Sequence, residues 1–302
     1  MQIVPLVATA FASLLPSLGA TEPAAEPQSR PATKASAPVE PQPDLGSGGA
    51  ALEDGRFSDG LTGRDIYARV LENRFRAFTQ ESSLSSGDRA GRIQETRMEM
   101  HWKNFDPAGD EAPGDGVLSK TLVKYTYPFD LRHSGYLIIQ NEDRANDQFV
   151  YLPERRQTRR VNLRGESVFG SDFSFEDLVP REIEDATYVR RPDEELDGVP
   201  VFVVIGTPTE HFDSDYSKFA FHIDRETAVA LRTRYWDLAG VEVKELRTER
   251  AGIERVDDVH VPMVMTMRNL VQESFTTLRV THLVPNPDLP RGAFGLRQLQ
   301  GH

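Results

Sequence analysis

Apolar and polar residues alternate along most of the chain between Arg97 and Val284. This period of two predicts β-strands, and strands with one apolar and one polar face are typical of antiparallel sheets. About ten such stretches occur, which is enough for a sheet to curl. The apolar sets are Met98, Met100 and Trp102; Val123, Tyr125 and Tyr127; Val201, Val203 and Ile205; Phe219, Phe221 and Ile223; Val229, Leu231, Thr233 and Tyr235; Val261, Met263, Met265 and Met267; and Leu278, Val280 and Val284.

One stretch before the strands has helical spacing. Its apolar residues recur three and four positions apart, which predicts a helix. Thr62 precedes Asp65 by three residues, a pattern that marks a helix start. A second, shorter helix is predicted where Ser174 precedes Asp177 in the same way, with Pro180 ending it. The apolar stripe of the first helix consists of Ile66, Tyr67, Val70, Leu71 and Phe75.

The first 56 residues differ from the rest in composition. Ile3 to Leu18 carry no charge and lead into Gly19 and Ala20, the small residues expected at the end of a secretory signal peptide. We therefore expect residues 1–20 to be a cleavable export signal, although its start has no lysine or arginine; a disordered apolar tail is the alternative. Residues 21–56 are rich in Pro, Ala, Glu, Ser and Gly, which predicts a disordered tether and leaves 57–302 as the folded domain.

Composition narrows the possible functions. The 302 residues include 35 basic and 47 acidic side chains, and this net charge of −12 argues against a nucleic-acid binder, which needs a positive field. The absence of cysteine excludes disulfides, thiolate metal sites and cysteine nucleophiles. After residue 21 no apolar run approaches the roughly 18 residues of a membrane span. Common hydrolase, metalloprotease, phosphate-loop and dinucleotide motifs do not occur, so we predict neither catalysis nor a cofactor.

A central segment interrupts the alternation. Tyr151-Leu152-Pro153 is followed by Arg159-Arg160-Val161 and then by the run GSDFSFEDL at residues 170–178. This combination resembles the LolA-like outer-membrane lipoprotein-sorting family, which is marked by YLP, RR(V/I) and GSDF(S/T)(Y/F)EDL. The likeness extends in outline from the helix near Leu61 to the strand that ends near Val284.

The resemblance implies a mainly β fold in which a curved antiparallel sheet forms an incomplete, half β-barrel with helices covering its concave face. It also implies a non-enzymatic periplasmic carrier that binds a lipid, or the acyl chains of a lipoprotein, in an apolar cavity for transfer toward the outer membrane. The implied partners are that cargo, an inner-membrane RND-type exporter and a transiently contacted membrane. Another interpretation is an envelope-stress sensor of the same fold that binds the ectodomain of a membrane protein, and a hydrolase ranks third.

A carrier needs apolar surface that its own side chains leave free, and flexible methionines suit such a lining. Five of the six methionines lie on alternating strand faces, where ordinary core is the alternative. The aromatic residues around Gly170-Ser171-Asp172 form either a lid at the cavity mouth or an anchor for the loop. The predicted cavity residues are Met98, Met100, Trp102, Tyr125, Phe169, Phe173, Phe175, Phe221, Tyr235, Met263, Met265 and Met267.

Arginines cluster beside the central segment. A guanidinium binds phosphate or carboxylate through two hydrogen bonds, so the cluster is a candidate dock for an anionic headgroup or an acidic partner. A solvated charged face is the alternative. Asp172 and Asp177 are expected to bind backbone amides rather than to act in catalysis. The predicted docking residues are Arg155, Arg156, Arg159 and Arg160.

Overall fold

A computed structural model describes residues 59–105, 116–142, 144–162, 164–210 and 212–301. The predicted signal peptide (1–20) and tether (21–56) lie outside the described residues, so both stay predictions. In the described part of the chain, no helix is long and apolar enough to cross a bilayer.

Helix α1 spans Gly63–Glu72 and begins as the sequence predicts. The Thr62 N–H donates to Asp65 Oδ2 at 2.8 Å, and the Asp65 N–H donates to Thr62 Oγ1 at 3.2 Å. This reciprocal capping box satisfies two backbone donors at the helix start. A second helix, α2, spans Leu296–Leu299. The short helix predicted after Ser174 is a single 3₁₀ turn, Glu176–Leu178.

The described residues form fifteen strands, so the sequence count of about ten was too low. Short strands such as residues 253–256 are below the length at which alternation can be read. The strands are β1 (Ala77–Gly87), β2 (Ile93–Asn104), β3 (Val117–Tyr127), β4 (Gly135–Asn141), β5 (Asp147–Leu152), β6 (Gln157–Val161), β7 (Ala186–Leu196), β8 (Val199–Pro208), β9 (Tyr216–Asp224), β10 (Ala230–Asp237), β11 (Glu242–Thr248), β12 (Ile253–Val256), β13 (Val259–Pro262), β14 (Val264–Asn269) and β15 (Ser274–Pro285).

Thirteen strands form one antiparallel sheet in the order β6-β5-β4-β3-β2-β1-β15-β14-β11-β10-β9-β8-β7, and β12 and β13 form a separate hairpin. The first and last strands therefore pair at the middle of the sheet. The edge strands β6 and β7 do not pair with each other, so the curved sheet stays open. With 55% strand, 11% helix and few helices, the chain has the predicted mainly β, unclosed fold.

One face of the sheet, called the inner face below, carries the main apolar core. Its side chains reach from Val150 in β5 to Phe202 in β8. Residues 164–181, called the inner segment below, contribute Val168, Phe173 and other apolar side chains to this core. Ile66 and Tyr67 of α1 also join it, and the Tyr67 ring stacks on Tyr188 of β7 with centroids 4.1 Å apart. The helix and the inner segment together cover much of the inner face.

The opposite, outer face is also apolar in two places, which the sequence pattern did not resolve. Val201 and Val203 pack there with Leu231, while Phe202 and Val204 point to the inner core. A register shift between Ala230 and Arg232 moves Leu231 to the outer face, because a bulge reverses the alternation. The C-terminal residues form the second patch, in which Leu289, Phe294 and Leu299 cover Leu122 of β3 and Leu137 of β4.

Candidate functional site

A pocket of about 450 Å³ lies on the inner face at the middle of the sheet. Its floor comes from β1, β2, β3, β14 and β15, and its walls come from α1, the inner segment and the β12–β13 hairpin. The floor is mostly apolar, because the inward-pointing positions of these strands carry large apolar side chains. The floor residues are Phe78, Gln80, Met100, Trp102, Thr121, Met265, Val280 and Leu283.

The rim of the pocket joins segments that are far apart in sequence. Asn73, the residue after α1, donates from Nδ2 to the His260 carbonyl at 3.0 Å and accepts from the His260 N–H at 2.8 Å. This pair mimics a strand ladder and fixes the β12–β13 hairpin beside the helix end. Arg74, the next residue, pairs with Glu182 at 3.3 Å. The two contacts hold the helix end, the hairpin and the residue that follows the inner segment together around the pocket.

The inner segment is attached to the sheet by three acidic residues of the 170–178 run. Asp172 accepts hydrogen bonds from the hydroxyls of Ser274 and Thr276 on β15, the second at 2.7 Å. Glu176 accepts from Ser214 Oγ at 2.5 Å and from the Asp215 N–H at 3.0 Å. These bonds satisfy buried carboxylates, which would otherwise be costly to remove from water.

The side chain of Asp177 is only 1% exposed. It accepts hydrogen bonds from the Ser174 N–H, Tyr216 Oη and Lys244 Nζ at 2.8, 2.9 and 2.8 Å. The amide contact agrees with the capping role predicted from sequence. Burial, followed by the charge of Asp177, raises the pKa of Tyr216, so its hydroxyl remains a donor. The 170–178 run therefore works as a clamp that fixes one wall of the pocket.

The turn in this run needs left-handed backbone. Phe169 and Gly170 have φ values of 48° and 78°, a region that glycine adopts without penalty. The turn brings the Val168 N–H to the Phe173 carbonyl at 2.8 Å. The Phe169 ring lies against Tyr125 with centroids 4.6 Å apart, and the segment's aromatics are buried in the core. In this structure they anchor the segment to the sheet.

The structure divides the twelve predicted cavity residues into two groups. Met100, Trp102 and Met265 line the pocket. The others do not line it and lie in the packed core, where Met263 is partly buried. These nine residues are Met98, Tyr125, Phe169, Phe173, Phe175, Phe221, Tyr235, Met263 and Met267. Direct contact of any of the nine with a ligand stays a prediction.

The predicted arginine cluster lies at the β6 edge of the sheet and does not line the pocket. Arg155 and Arg156 are exposed in the turn between β5 and β6, and Arg159 is exposed on β6. Arg160 pairs with Asp147 of β5, which also accepts from Arg144 at 2.6 Å. A docking role for the four predicted arginines therefore stays a prediction, with Arg160 already engaged.

Five hairpin turns lie at one end of the sheet. The register between neighbouring strands places the turns after β1, β10 and β14 side by side. This register is shown by the pairs Gly87–Phe275, Asn269–Ser274 and Lys244–Asn269. The turns after β3 and β5 lie at the same end because antiparallel strands alternate in direction. Seven of the ten exposed large apolar side chains of the described residues are on or beside these turns: Ile93, Tyr127, Phe129, Leu238, Val241, Leu270 and Val271. We call this end the hairpin rim.

Several pocket residues were not found from sequence. Arg181 and the β13 residues Val259 to Pro262 line the pocket but belong to no recognisable motif. The helical stripe did identify Val70, Leu71 and Phe75 as inward-facing, although it did not separate pocket from core. Among the described residues, no group of three or more His, Asp or Glu side chains is arranged to hold a metal ion.

A family model described as an uncharacterized protein matches residues 118–301, which is more than half of the chain. The chain belongs to this family, and its fold is LolA-like. Solved structures confirm the fold that the resemblance in residues 151–178 implies. No curated protein matches the chain.

Solved structures support the same fold assignment for this LolA-like protein. A DUF1329 family protein from Desulfovibrio piger has a TM-score of 0.73 at 22% identity, and a domain named for outer membrane lipoprotein sorting from Vibrio parahaemolyticus has 0.70 at 21%. Each match covers 79% of this chain and 98% of the other. A LolA superfamily protein from Nitrosomonas europaea has 0.61 at 17% identity, covering 78% of this chain and 98% of its own.

Proposed function

We propose that this LolA-like protein is an exported, periplasmic, non-enzymatic carrier. In this proposal it binds a lipid, or an acyl chain of a lipoprotein, and moves it toward the outer membrane. The observation that carries the proposal is the apolar pocket between α1, the inner segment and the floor strands. Its volume falls within the range of about 300–1,000 Å³ that is usual for small-ligand sites.

The energetics favour such a ligand. Each methylene group moved from water to an apolar pocket contributes about 0.8 kcal/mol, so a chain of ~14 carbons gains roughly 10 kcal/mol when fully buried. The pocket floor includes Met100 and Met265, whose flexible side chains adapt to an irregular tail. An inner-membrane RND-type exporter is the proposed partner that exchanges cargo with the carrier.

Contact with the membrane is the second part of the proposal, and the hairpin rim supports it. Phe129 is 88% exposed and Val271 is 68% exposed, both on turns at this end. Exposed apolar patches on a protein surface commonly mark interaction sites. Arg155 and Arg156 in the neighbouring turn add positive charge, which attracts anionic headgroups. We therefore assign transient membrane contact to the rim and cargo binding to the pocket.

The carrier proposal is tested by extraction. Purified protein is extracted with organic solvent and the extract is analysed by mass spectrometry; we expect one amphiphile at near-stoichiometric amount. Leu283→Trp should displace it, because the larger ring occupies the pocket floor, while Val189→Trp on the exposed face of β7 should retain it. An empty pocket together with a stable complex with a membrane-protein ectodomain would favour the sensor alternative and contradict the carrier.

A further inference from the structure

Two residues that line the pocket each have a buried hydrogen-bond donor with no acceptor among the described residues: Trp102 Nε1 and Arg181 Nε. Trp102 is 5% exposed and the Arg181 side chain is 10% exposed. Trp102 comes from β2 in the sheet, and Arg181 comes from the end of the inner segment. Buried donors without partners are rare in native proteins and call for an explanation such as a missing ligand. Both side chains line the same pocket, which points to a ligand that carries acceptor atoms.

Arg181 also carries a buried charge: burial opposes it, but neighbouring groups that include Glu176 and Asp177 outweigh burial and raise its pKa. Its Nη2 lies 3.4 Å from Glu176 Oε1, a long contact, and Glu176 already accepts from Ser214 and from the backbone of Asp215. The ring of Phe219 lies 4.0 Å from the guanidinium carbon and covers one flat face. A guanidinium has five N–H donors along its edge, so most of the hydrogen-bonding capacity of Arg181 is unused.

The other charged groups around the pocket are engaged. Asp177 is bound to Lys244 and Arg74 is paired with Glu182. The side chain of Asn73 is occupied by the backbone of His260. Among the described residues of this wall, Arg181 is therefore the cation with an unused N–H donor, at Nε, and Trp102 supplies a neutral donor.

Building on the proposed function, we propose that the pocket takes a single-chain amphiphile with an anionic oxyacid head, a carboxylate or a phosphate. The head accepts hydrogen bonds from Arg181 and Trp102, and the tail lies along the apolar floor with Met100 and Met265. A guanidinium suits this head because it binds planar oxyanions through two parallel hydrogen bonds. A volume of about 450 Å³ suits one chain, being near the low end of the usual range for small-ligand sites.

The test compares three 16-carbon ligands with the same tail: palmitate, hexadecyl phosphate and hexadecanol. Each displaces a bound hydrophobic dye from the full chain, below the concentration at which the ligand aggregates. We expect one or both anionic ligands to bind about tenfold more tightly than hexadecanol, because a hydrogen bond to a charged group is stronger than a neutral one. The anionic ligand with the larger gain in affinity over hexadecanol shows whether the head is a carboxylate or a phosphate.

Variants assign the effect to the two donors. Arg181→Met should abolish the tighter binding of the anionic ligands. Arg181→Lys should reduce it, because an ammonium group keeps the charge but cannot form the two parallel hydrogen bonds of a guanidinium. Trp102→Phe keeps the ring and loses the N–H, so it should weaken the oxyanion ligands several-fold. Arg232→Met and Trp236→Phe are the matched controls outside the pocket and should leave all three affinities unchanged. If Arg181→Met fails to fold, Arg181→Lys and Trp102→Phe still carry the test.

The outcomes separate this inference from the proposed function. If all three ligands bind wild-type protein equally, or if the Arg181 variants weaken all three equally, the anionic head is wrong while the apolar carrier stands. If no ligand displaces the dye from the wild type, both the carrier proposal and this inference fail.

Discussion

At the residue scale, His222 is an ionisable side chain that the sheet buries on its outer face, with 4% exposure. Its Nε2 lies 3.4 Å from Glu194 Oε2 of β7. Burial lowers the pKa of His222; Glu194 opposes this shift, and Arg232 and Arg234 on β10 add to it. The folded chain therefore holds His222 in its neutral form more strongly than the unfolded chain does.

This shift predicts a pH dependence of stability. The unfolded histidine titrates near pH 6.5, and the folded one titrates lower. The stability that His222 contributes is fully present above about pH 6.5. It is lost as the pH falls toward the folded pKa, because the unfolded state takes up the proton first. We expect the melting temperature to fall between about pH 7 and pH 5, and to fall less in His222→Gln. His282→Gln, at an exposed position of β15, is the control; parallel profiles for wild type and His222→Gln would contradict the prediction.

At the element scale, the inner segment depends on buried ionic contacts for its position. Removing one partner of a buried pair leaves the other charge uncompensated, which typically costs about 3–5 kcal/mol. Lys244→Met should therefore destabilise the protein by about 3 kcal/mol, because Asp177 remains buried with its charge. Unfolding in urea measures the change.

Two further variants make this prediction specific. Lys218→Met removes an exposed lysine from β9 and should cost less than about 1 kcal/mol. Adding Asp177→Asn to Lys244→Met should recover part of the loss, because no buried charge is then left unpaired. A small effect of Lys244→Met alone would mean that the segment is held by its aromatic contacts and not by this pair.

The elements themselves could largely be predicted from sequence because they depend on local pattern. The capping residues Thr62 and Asp65 lie three apart, so a short window identifies the helix start. The buried face of each strand was harder to predict. In β8 both faces are buried, so the predicted apolar set of Val201, Val203 and Ile205 did not identify the inner face: Val201 and Val203 pack on the outer face. The bulge at Leu231 becomes visible only when β10 is paired with β9.

At the scale of the whole molecule, the pocket could not be predicted because its parts meet only in the folded chain. Asn73, Arg181 and His260 share one rim although more than seventy residues separate each from the next. Two residues of the methionine pattern, Met100 and Met265, line the pocket on the inner face. The pattern could not tell them from Met98 and Met267, because packing by α1 and the inner segment decides which methionines remain uncovered.

The hairpin rim leads to a prediction about membrane binding. The rim combines exposed apolar side chains with Arg155 and Arg156, so it should bind vesicles that contain anionic phospholipid despite the net charge of −12. Each arginine near such a surface contributes about 1 kcal/mol, an attraction that salt screens. Phe129→Ser with Val271→Ser should reduce co-sedimentation with phosphatidylglycerol vesicles at any salt concentration. Arg155→Ser with Arg156→Ser should reduce it mainly at low salt.

Matched variants decide whether the rim itself is responsible. Val189→Ser and Val284→Ser remove exposed apolar side chains that are on none of the rim turns, so they should leave vesicle binding unchanged. None of these substitutions removes buried contacts, so melting temperatures should stay close to that of the wild type. If the rim variants and the controls bind vesicles equally well, the membrane contact lies elsewhere. Cargo binding in the pocket would still be open to its own test, because no rim residue lines the pocket.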